Sequence, residues 1–131
     1  MVRPPVGHRC RMRVKDAVGR FGEDLAATHL GAAGWHIVER NWRCADGEID
    51  LIAFDGDILV FVEVKTRSTT AFGDPVEAVD EAKAVRVRRL AARWLAENQS
   101  VRRGREVRFD VVAVVRLAPG GPALTHLAGA F

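Results

Sequence analysis

Long hydrophobic runs are what this sequence lacks most clearly. Its longest apolar stretches, ILVFV and VVAVV, span five residues each, whereas a membrane-spanning helix needs roughly 20. The basic start, MVRPPVGHRCRMRVK, is not followed by an apolar stretch, so the pattern of a secretory signal is missing. These absences argue against a membrane partner and predict a cytoplasmic protein.

Cysteine is also scarce. Cys10 and Cys44 form no CxxC pair, and the four histidines are scattered along the chain. This pattern argues against a zinc site and against a disulfide framework. Both thiols are therefore expected to be reduced and without a special role.

Positive charge is concentrated rather than spread. The first 15 residues carry five basic side chains and no acid, so the remaining 116 hold 15 basic against 17 acidic residues. We expect residues 1–15 to form a flexible basic tail, with translation starting at either Met1 or Met12. Further basic clusters at 83–93 and 102–108 could follow a phosphate backbone, or they could be a solvated helix face and loop.

The length of 131 residues fits one compact domain, here residues 16–131. Apolar periodicity predicts helices at 16–33 and 75–98, and strands at 35–43, 47–54, 57–66, 106–117 and 123–127. The order is αβββαββ. Because the strands are too apolar for a sheet covered on one side, we expect a single α/β domain with a central mixed sheet flanked by helices.

The segment GEIDLIAFDGDILVFVEVKTR, residues 47–67, places charged residues among apolar ones. A type I′ turn at Asp55-Gly56 would join its two strands and would place Asp50 opposite Phe61, on the same face of the sheet. Alternation then adds two more charged residues to that face. The charged residues that share it are Asp50, Glu63 and Lys65.

Two carboxylates on a covered face repel each other unless a cation binds between them. On this register Asp50 and Glu63 are diagonal neighbours with Cβ atoms about 7–8 Å apart, which suits a hard oxygen site for Mg²⁺ or Mn²⁺. Lys65 could help to activate a water molecule there, and these are the parts of a phosphodiesterase site. The spacing between Asp50, Glu63 and Lys65 is loose, however, and the same sequence pattern would arise if Glu63 and Lys65 were simply an exposed pair on a strand.

The helices add further candidates. Glu23 shares a helix side with small apolar residues, where it could join the site, or it could favour the helix dipole. Lys83 falls within the apolar stripe of the second helix, where it could pair with the carboxylates or a phosphate, or extend to the edge. The arginines beside and behind that stripe are Arg86, Arg89 and Arg93.

Four segments of the sequence resemble a known protein family: GRFGEDLAATHL, RNWRCADGEIDLIAFDGDILVFVEVKTR, FGDPVEAV and RFDVVAV. In this order they resemble the YraN-like family of uncharacterised bacterial proteins over residues 16–115. That family is similar, more distantly, to the PD-(D/E)xK nucleases, which include archaeal Holliday junction resolvases and restriction endonucleases. The resemblance implies a restriction-endonuclease-like fold.

The same resemblance implies roles for individual residues. Asp50 is similar to the first metal ligand, Glu63 and Lys65 to the (D/E)xK half of the motif, and Glu23 to a glutamate on the first helix that completes such sites. Ile49 stands where the motif has its proline, a position at which the superfamily often varies.

The sequence thus predicts a metal-dependent endonuclease that hydrolyses nucleic acid, with branched or structured DNA as the favoured substrate. Asp50 and Glu63 would bind Mg²⁺ or Mn²⁺, while Arg67 and Lys83 would hold a neighbouring phosphate. Cleavage of a branched junction would favour a homodimer. The alternatives are a non-catalytic nucleic-acid-binding protein on the same fold and a protein that docks another protein.

Overall fold

The computed structural model describes residues 14–69 and 81–131. The helices are α1 (Val14–Ala32), α2 (Glu81–Glu97) and the one-turn α3 (Gln99–Arg102). The strands are β1 (His36–Cys44), β2 (Gly47–Asp55), β3 (Ile58–Arg67), β4 (Val107–Val115) and β5 (Ala123–Leu127). Apart from the short α3, this is the predicted order. The predicted tail up to residue 13 and the predicted helix start at 75–80 lie outside the described residues.

The five strands of the described chain form one mixed sheet in the order β1-β2-β3-β4-β5. All neighbouring pairs are antiparallel except β3 and β4, which run parallel. A parallel pair needs a long crossover, and the segment that contains α2 provides it. None of the helices in residues 14–69 and 81–131 combines the length and the apolar character that a membrane span requires.

Each face of the sheet is covered by one helix. On one face Ala26 and Leu30 of α1 pack against a cluster that includes Leu51. On the other, Leu90 and Trp94 of α2 pack against a cluster of strand residues and aromatic rings. Burial on both faces explains why the central strands are apolar along their length.

The turn between β2 and β3 differs from the prediction. Gly56 and Asp57 form it, and Asp55 stays in the strand, paired with Ile58. A type I′ turn needs two residues with positive φ, but here only Gly56 (φ 61°) has one, at the first central position as in a type II′ turn. The carboxylate of Asp55 is also held within the strand by Arg108, whose Nη2 lies 3.1 Å from Oδ2.

The predicted register is therefore wrong by two residues. Ile52, not Asp50, lies opposite Phe61. A shift of two residues leaves every side chain on its own face of the sheet. Continued along the strands, the observed register brings Asp50 level with Glu63 instead of diagonal to it.

Helix α1 approaches β3 closely at Gly22. A Cβ atom at this position would lie 1.8 Å from Oγ1 of Thr66, which no packing tolerates. Glycine therefore sets the distance between the helix and the strand, and it places the next residue, Glu23, beside the sheet.

A polar cluster ties β5 to the sheet at Asp110, which is fully buried in β4. Its carboxylate accepts hydrogen bonds from Nε and Nη2 of Arg108 at 2.8 and 2.9 Å and from the Gly129 N–H at 2.9 Å. It also contacts Nε2 of His126 at 2.7 Å. With these partners the buried charge is matched, and it fixes the chain after β4 in place.

Candidate functional site

The β2–β3 ladder ends just before the candidate site. Leu51 and Val62 are the last paired residues of the two strands. Beyond them the side chain of Asp50 takes the place of a backbone acceptor, since its Oδ2 accepts the Val64 N–H at 2.8 Å. Asp50 is buried, and this hydrogen bond fixes its carboxylate beside β3.

Glu63, the second predicted acid, is buried under two lysines. The Lys83 Nζ lies 2.8 Å from Glu63 Oε2, and the Lys65 Nζ lies 3.6 Å from the same oxygen. Lys83 reaches it from α2, so of the two alternatives for this residue the structure selects pairing with a carboxylate. The three predicted residues Asp50, Glu63 and Lys65 therefore lie together at one end of the sheet.

Side-chain alternation along β2 breaks at Asp50. In a regular strand, residues two apart share a face. Leu51 belongs to the α1-side cluster, yet Ile49, two residues earlier, belongs to the α2-side cluster. Asp50 lies at the point where the strand changes faces, so its carboxylate is accessible from both helical layers.

The neighbouring strand β1 breaks at the matching position. Arg40 pairs with Asp24 of α1, whereas Trp42 packs in the α2-side cluster. Between them Asn41 has φ 53° and is the one non-glycine residue with positive φ in the described part of the chain. Arg40 pairs with Leu51 and Trp42 pairs with Ile49, so Asn41 lies opposite Asp50.

Glu23 reaches this point from α1. It is half-buried and sits in the third turn of the helix that begins at Val14, too far along for a favourable dipole interaction at the N-terminus. Its carboxylate is hydrogen-bonded to the side chains of Asn41 and Asp50. The structure thus brings all four predicted catalytic residues, Glu23 included, into one neighbourhood.

Burial and mutual repulsion shift the titration of these acids. Burial and the charges of Glu63, Glu23 and Glu48 raise the pKa of Asp50 to about 8, although the hydrogen bond from the Val64 N–H acts in the opposite direction. Burial and Glu48 raise the pKa of Glu23, opposed by its hydrogen bonds and by Arg40. At neutral pH a proton held by Asp50 can therefore bond to Glu23, as in other close carboxylate pairs.

The oxygens of Asp50 and Glu63 fit a hard divalent cation, because Mg²⁺ is usually held by one or two carboxylates and keeps several waters. Within residues 14–69 and 81–131 no set of three or more acidic, histidine or cysteine side chains is arranged as a ready-made metal cage. The residues present thus suit an open site with a high share of water ligands. A cation there would offset the burial and the repulsion that raise the pKa of Asp50.

The predicted phosphate-binding residues divide into two groups. Lys83 and Arg67 are partly buried, at the same end of the sheet as the acids. The three predicted arginines of α2, Arg86, Arg89 and Arg93, are exposed, and Arg93 is already paired with Asp46 and Glu97 at 3.6 and 3.5 Å. The exposed arginines lie on the surface of α2 away from Val87, Leu90 and Trp94, as the stripe predicted.

Two residues near the site were missed by the sequence reasoning. Glu48 precedes Asp50 by two positions and acts on it through charge. Asn41 is the second of these residues, and the sequence does contain a feature that could have indicated its unusual conformation. An asparagine inside an otherwise regular strand pattern is unfavourable, and asparagine is among the few residues that tolerate the left-handed region.

Together, the fold and the site define an α/β domain in which a buried aspartate, a glutamate and two lysines meet at one end of a mixed sheet. The chain belongs to the uncharacterised protein family UPF0102, whose model matches residues 22–114. This is the YraN-like family that the sequence resembles. The matched range contains every acid and lysine of the candidate site.

Relatives in several other organisms carry the same family name. A UPF0102 protein of Beutenbergia cavernae is 59% identical over 118 residues, which cover 90% of this chain and 98% of the relative. A UPF0102 protein of Frankia casuarinae is 57% identical over 120 residues, covering 92% of this chain and 100% of the relative. A UPF0102 protein of Arthrobacter sp. is 51% identical over 118 residues, with 90% and 98% coverage.

Proposed function

We propose that this protein is a metal-dependent endonuclease that hydrolyses phosphodiesters of nucleic acid, with branched or structured DNA as its favoured substrate. The observation that carries the proposal is the burial of Asp50 among other carboxylates; burial, together with their charges, raises its pKa to about 8. Such crowding is costly for a fold and is typical of functional sites. A divalent cation is the ligand that would relieve it.

Asp50 and Glu63 would hold Mg²⁺ or Mn²⁺, with Glu23 close enough to take part. A bound cation of this kind supplies a Lewis acid and neutralises charge that develops on a phosphate. The chain supplies the remaining groups. The Lys65 ammonium, 3.6 Å from Glu63, would orient the attacking water and stabilise the phosphate.

Binding of the nucleic acid would rest on the basic residues around this end of the sheet. Lys83 and Arg67 would hold the phosphate next to the one that is cut. Arg86 and Arg89, exposed on α2, would contact the backbone further along, and Arg93 would join them by exchanging its acidic partners for a phosphate. Cutting two symmetric strands of a junction would favour a homodimer.

A non-catalytic nucleic-acid-binding protein is the second candidate. The observation in its favour is that Lys83 and Lys65 already neutralise Glu63 without a metal. A binder could keep this arrangement for stability alone. It gives no reason, however, for burying Asp50 next to Glu23 and Glu63.

The test is a cleavage screen run beside thermal melting. Branched, single-stranded and duplex DNA and RNA are incubated with the parent protein in Mg²⁺, Mn²⁺ or chelator. We expect cleavage that needs the metal, together with a rise in Tm on metal addition, because a ligand of the native state stabilises it by mass action.

The variants separate the roles of the residues. Asp50→Asn should abolish the metal-dependent rise in Tm and lower cleavage by about 100-fold or more, since several kcal/mol of transition-state stabilisation are lost. Lys65→Ala should keep the rise in Tm but lose cleavage. Glu106→Gln removes an exposed acid before β4, at the other end of the sheet, and should match the parent in both assays.

Two results would count against an enzyme. If the parent shows no metal-dependent rise in Tm at millimolar ion and cuts no substrate, the binding protein becomes the better account. If Asp50→Asn cuts as well as the parent, the acids of this site are not the catalytic groups.

A further inference from the structure

Asn41 holds a backbone conformation that a strand does not require. Its φ of 53° lies in the left-handed region, where non-glycine residues are uncommon. Residues held in sparsely populated regions are strained and cluster at functional sites. An outlier inside β1, away from any turn, therefore calls for a physical reason.

The conformation has a clear geometric effect. It lets Arg40 remain on the α1 side while Trp42 turns to the α2 side. The side chain of Asn41 is left between the two layers, opposite Asp50 and hydrogen-bonded to Glu23. A regular strand residue at this position would be directed towards one layer only.

Glu23 depends on such a contact. It projects from α1, which covers the opposite face of the sheet from α2 and Lys83. Gly22 sets how close this helix lies to β3, but the long Glu23 side chain still needs a partner that holds its carboxylate towards Asp50. The nearby Arg40 does not fix it, because the guanidinium is paired with Asp24. The Asn41 amide is the neutral group that can hold the Glu23 carboxylate without removing its charge.

We propose that Asn41 is a positioning residue, which its left-handed conformation places between the two layers so that its amide holds the Glu23 carboxylate against Asp50, beside the proposed cation site. This inference rests on the proposed function, since it assigns Asn41 to the same cation site. It differs in predicting that a neutral residue of β1 tunes the affinity for the cation.

The experiment measures Mn²⁺ affinity by calorimetry for the parent, Asn41→Gly, Asn41→Asp and Glu23→Gln. Glycine adopts the left-handed region freely, and aspartate also tolerates it, so both substitutions keep the backbone and the fold. If Asn41 served the backbone alone, both variants would bind Mn²⁺ like the parent. Unfolding by urea confirms that each variant is folded before binding is measured.

We expect Asn41→Gly to weaken Mn²⁺ binding by about 10-fold or more, as is usual when a group that orients a metal ligand is lost. Glu23→Gln should have a similar effect, and the double variant should be little worse than either single one, because both changes break the same interaction. Asn41→Asp should also bind Mn²⁺ more weakly than the parent, since it loses the amide donor and places another acid beside Glu23.

The failures of the two proposals differ. Unchanged Mn²⁺ affinity in folded Asn41→Gly, with binding still abolished by Asp50→Asn, overturns the role of Asn41 and leaves the cation site intact. Additive losses in the double variant also overturn it, because Asn41 would then act apart from Glu23. A parent protein that binds no Mn²⁺ and cuts no substrate overturns both proposals.

Discussion

Asp50 and Asp110 are both buried aspartates, but the protein treats their charges in opposite ways. Asp50 lies among other acids, and burial together with their charges raises its pKa to about 8. Asp110 is more deeply enclosed, and burial alone would raise its pKa too, yet hydrogen bonds from Arg108, Gly129 and His126 outweigh burial and lower it. The site of Asp50 thus retains a repulsion between acids that a bound ligand could relieve. At Asp110 the charge is already matched by partners within the protein.

The two pKa shifts predict opposite dependences of stability on pH. Asp50 keeps a proton in the folded state that the unfolded chain releases near pH 4, so its contribution to stability falls as the pH rises from about 4 to about 8. Asp110 stays ionised when folded, so its contribution is present above about pH 4 and is lost as the pH falls further.

Urea unfolding in chelator across this range checks both signs. Asp50→Asn should gain stability relative to the parent as the pH rises from 5 to 8, because asparagine can still accept the Val64 N–H without a charge. Asp110→Asn should cost about 3 kcal/mol at pH 7, since it leaves the Arg108 guanidinium without its charged partner, and less in acid. Glu106→Gln, at an exposed position, should change stability by less than about 0.5 kcal/mol. The opposite trend for either aspartate variant would contradict its assigned environment.

At the scale of elements, the contact between α1 and β3 decides where Glu23 lies. Gly22 and Thr66 form the closest part of that contact. Both residues belong to the blocks on which the resemblance rests, one in GRFGEDL and the other in VEVKTR. Their meeting in the fold explains why a small residue is needed one position before the glutamate.

Two glycines of α1 offer a matched comparison. Gly22→Ala places a Cβ 1.8 Å from Thr66 Oγ1, so we expect a loss of about 1–3 kcal/mol from overpacking and weaker Mn²⁺ binding as Glu23 moves away. Gly19→Ala meets nothing within 4 Å and should gain about 0.5–1 kcal/mol from helix propensity.

Thr66→Ala removes two of the three clashing atoms and should recover part of the stability of Gly22→Ala. Free energies of unfolding for Gly22→Ala, Gly19→Ala, Thr66→Ala and the Gly22→Ala/Thr66→Ala double variant provide the measurement. A Gly22→Ala protein as stable as Gly19→Ala would show that α1 is not seated on β3 at this point.

The sequence predicted most elements because their signals are local. Periodicity located both long helices and all five strands, and apolar strands predicted a sheet covered on both faces. The predicted register of the hairpin was wrong by two residues, because the choice between turn types depends on which residue takes positive φ. In addition, Asp55 is held in the strand by Arg108, 53 positions away along the chain.

The candidate site was predictable in its members and not in its contacts. Alternation predicted Asp50, Glu63 and Lys65 on one face, and the register error of two residues still left them together, although alternation itself breaks at Asp50. Nothing local shows that Lys83 pairs with Glu63 instead of reaching for solvent, because that depends on how α2 crosses the sheet. The break in alternation at Asn41 is likewise a tertiary property of two strands and a helix.

At the scale of the whole molecule, the basic residues of α2 and the acids of the sheet come from different parts of the chain. The carboxylates belong to α1, β2 and β3, whereas Lys83 belongs to the crossover helix. The sheet holds the acids together, and the helix brings the cation that pairs with Glu63. The charge balance of the site therefore needs the complete fold.

The spatial order of the strands repeats their order in the chain, and this has a consequence for folding kinetics. Strands β1 to β3 form a meander of local contacts, which can form quickly, while the parallel β3–β4 pair must wait for a long loop to close. Asp50 and Glu63 would therefore come together early, before Lys83 arrives to neutralise Glu63. In pulsed hydrogen exchange during refolding, amides of β1–β3 should be protected before those of β4 and β5, and Mn²⁺ should hasten the early phase. Simultaneous protection of all five strands would mean that the sheet forms in one step.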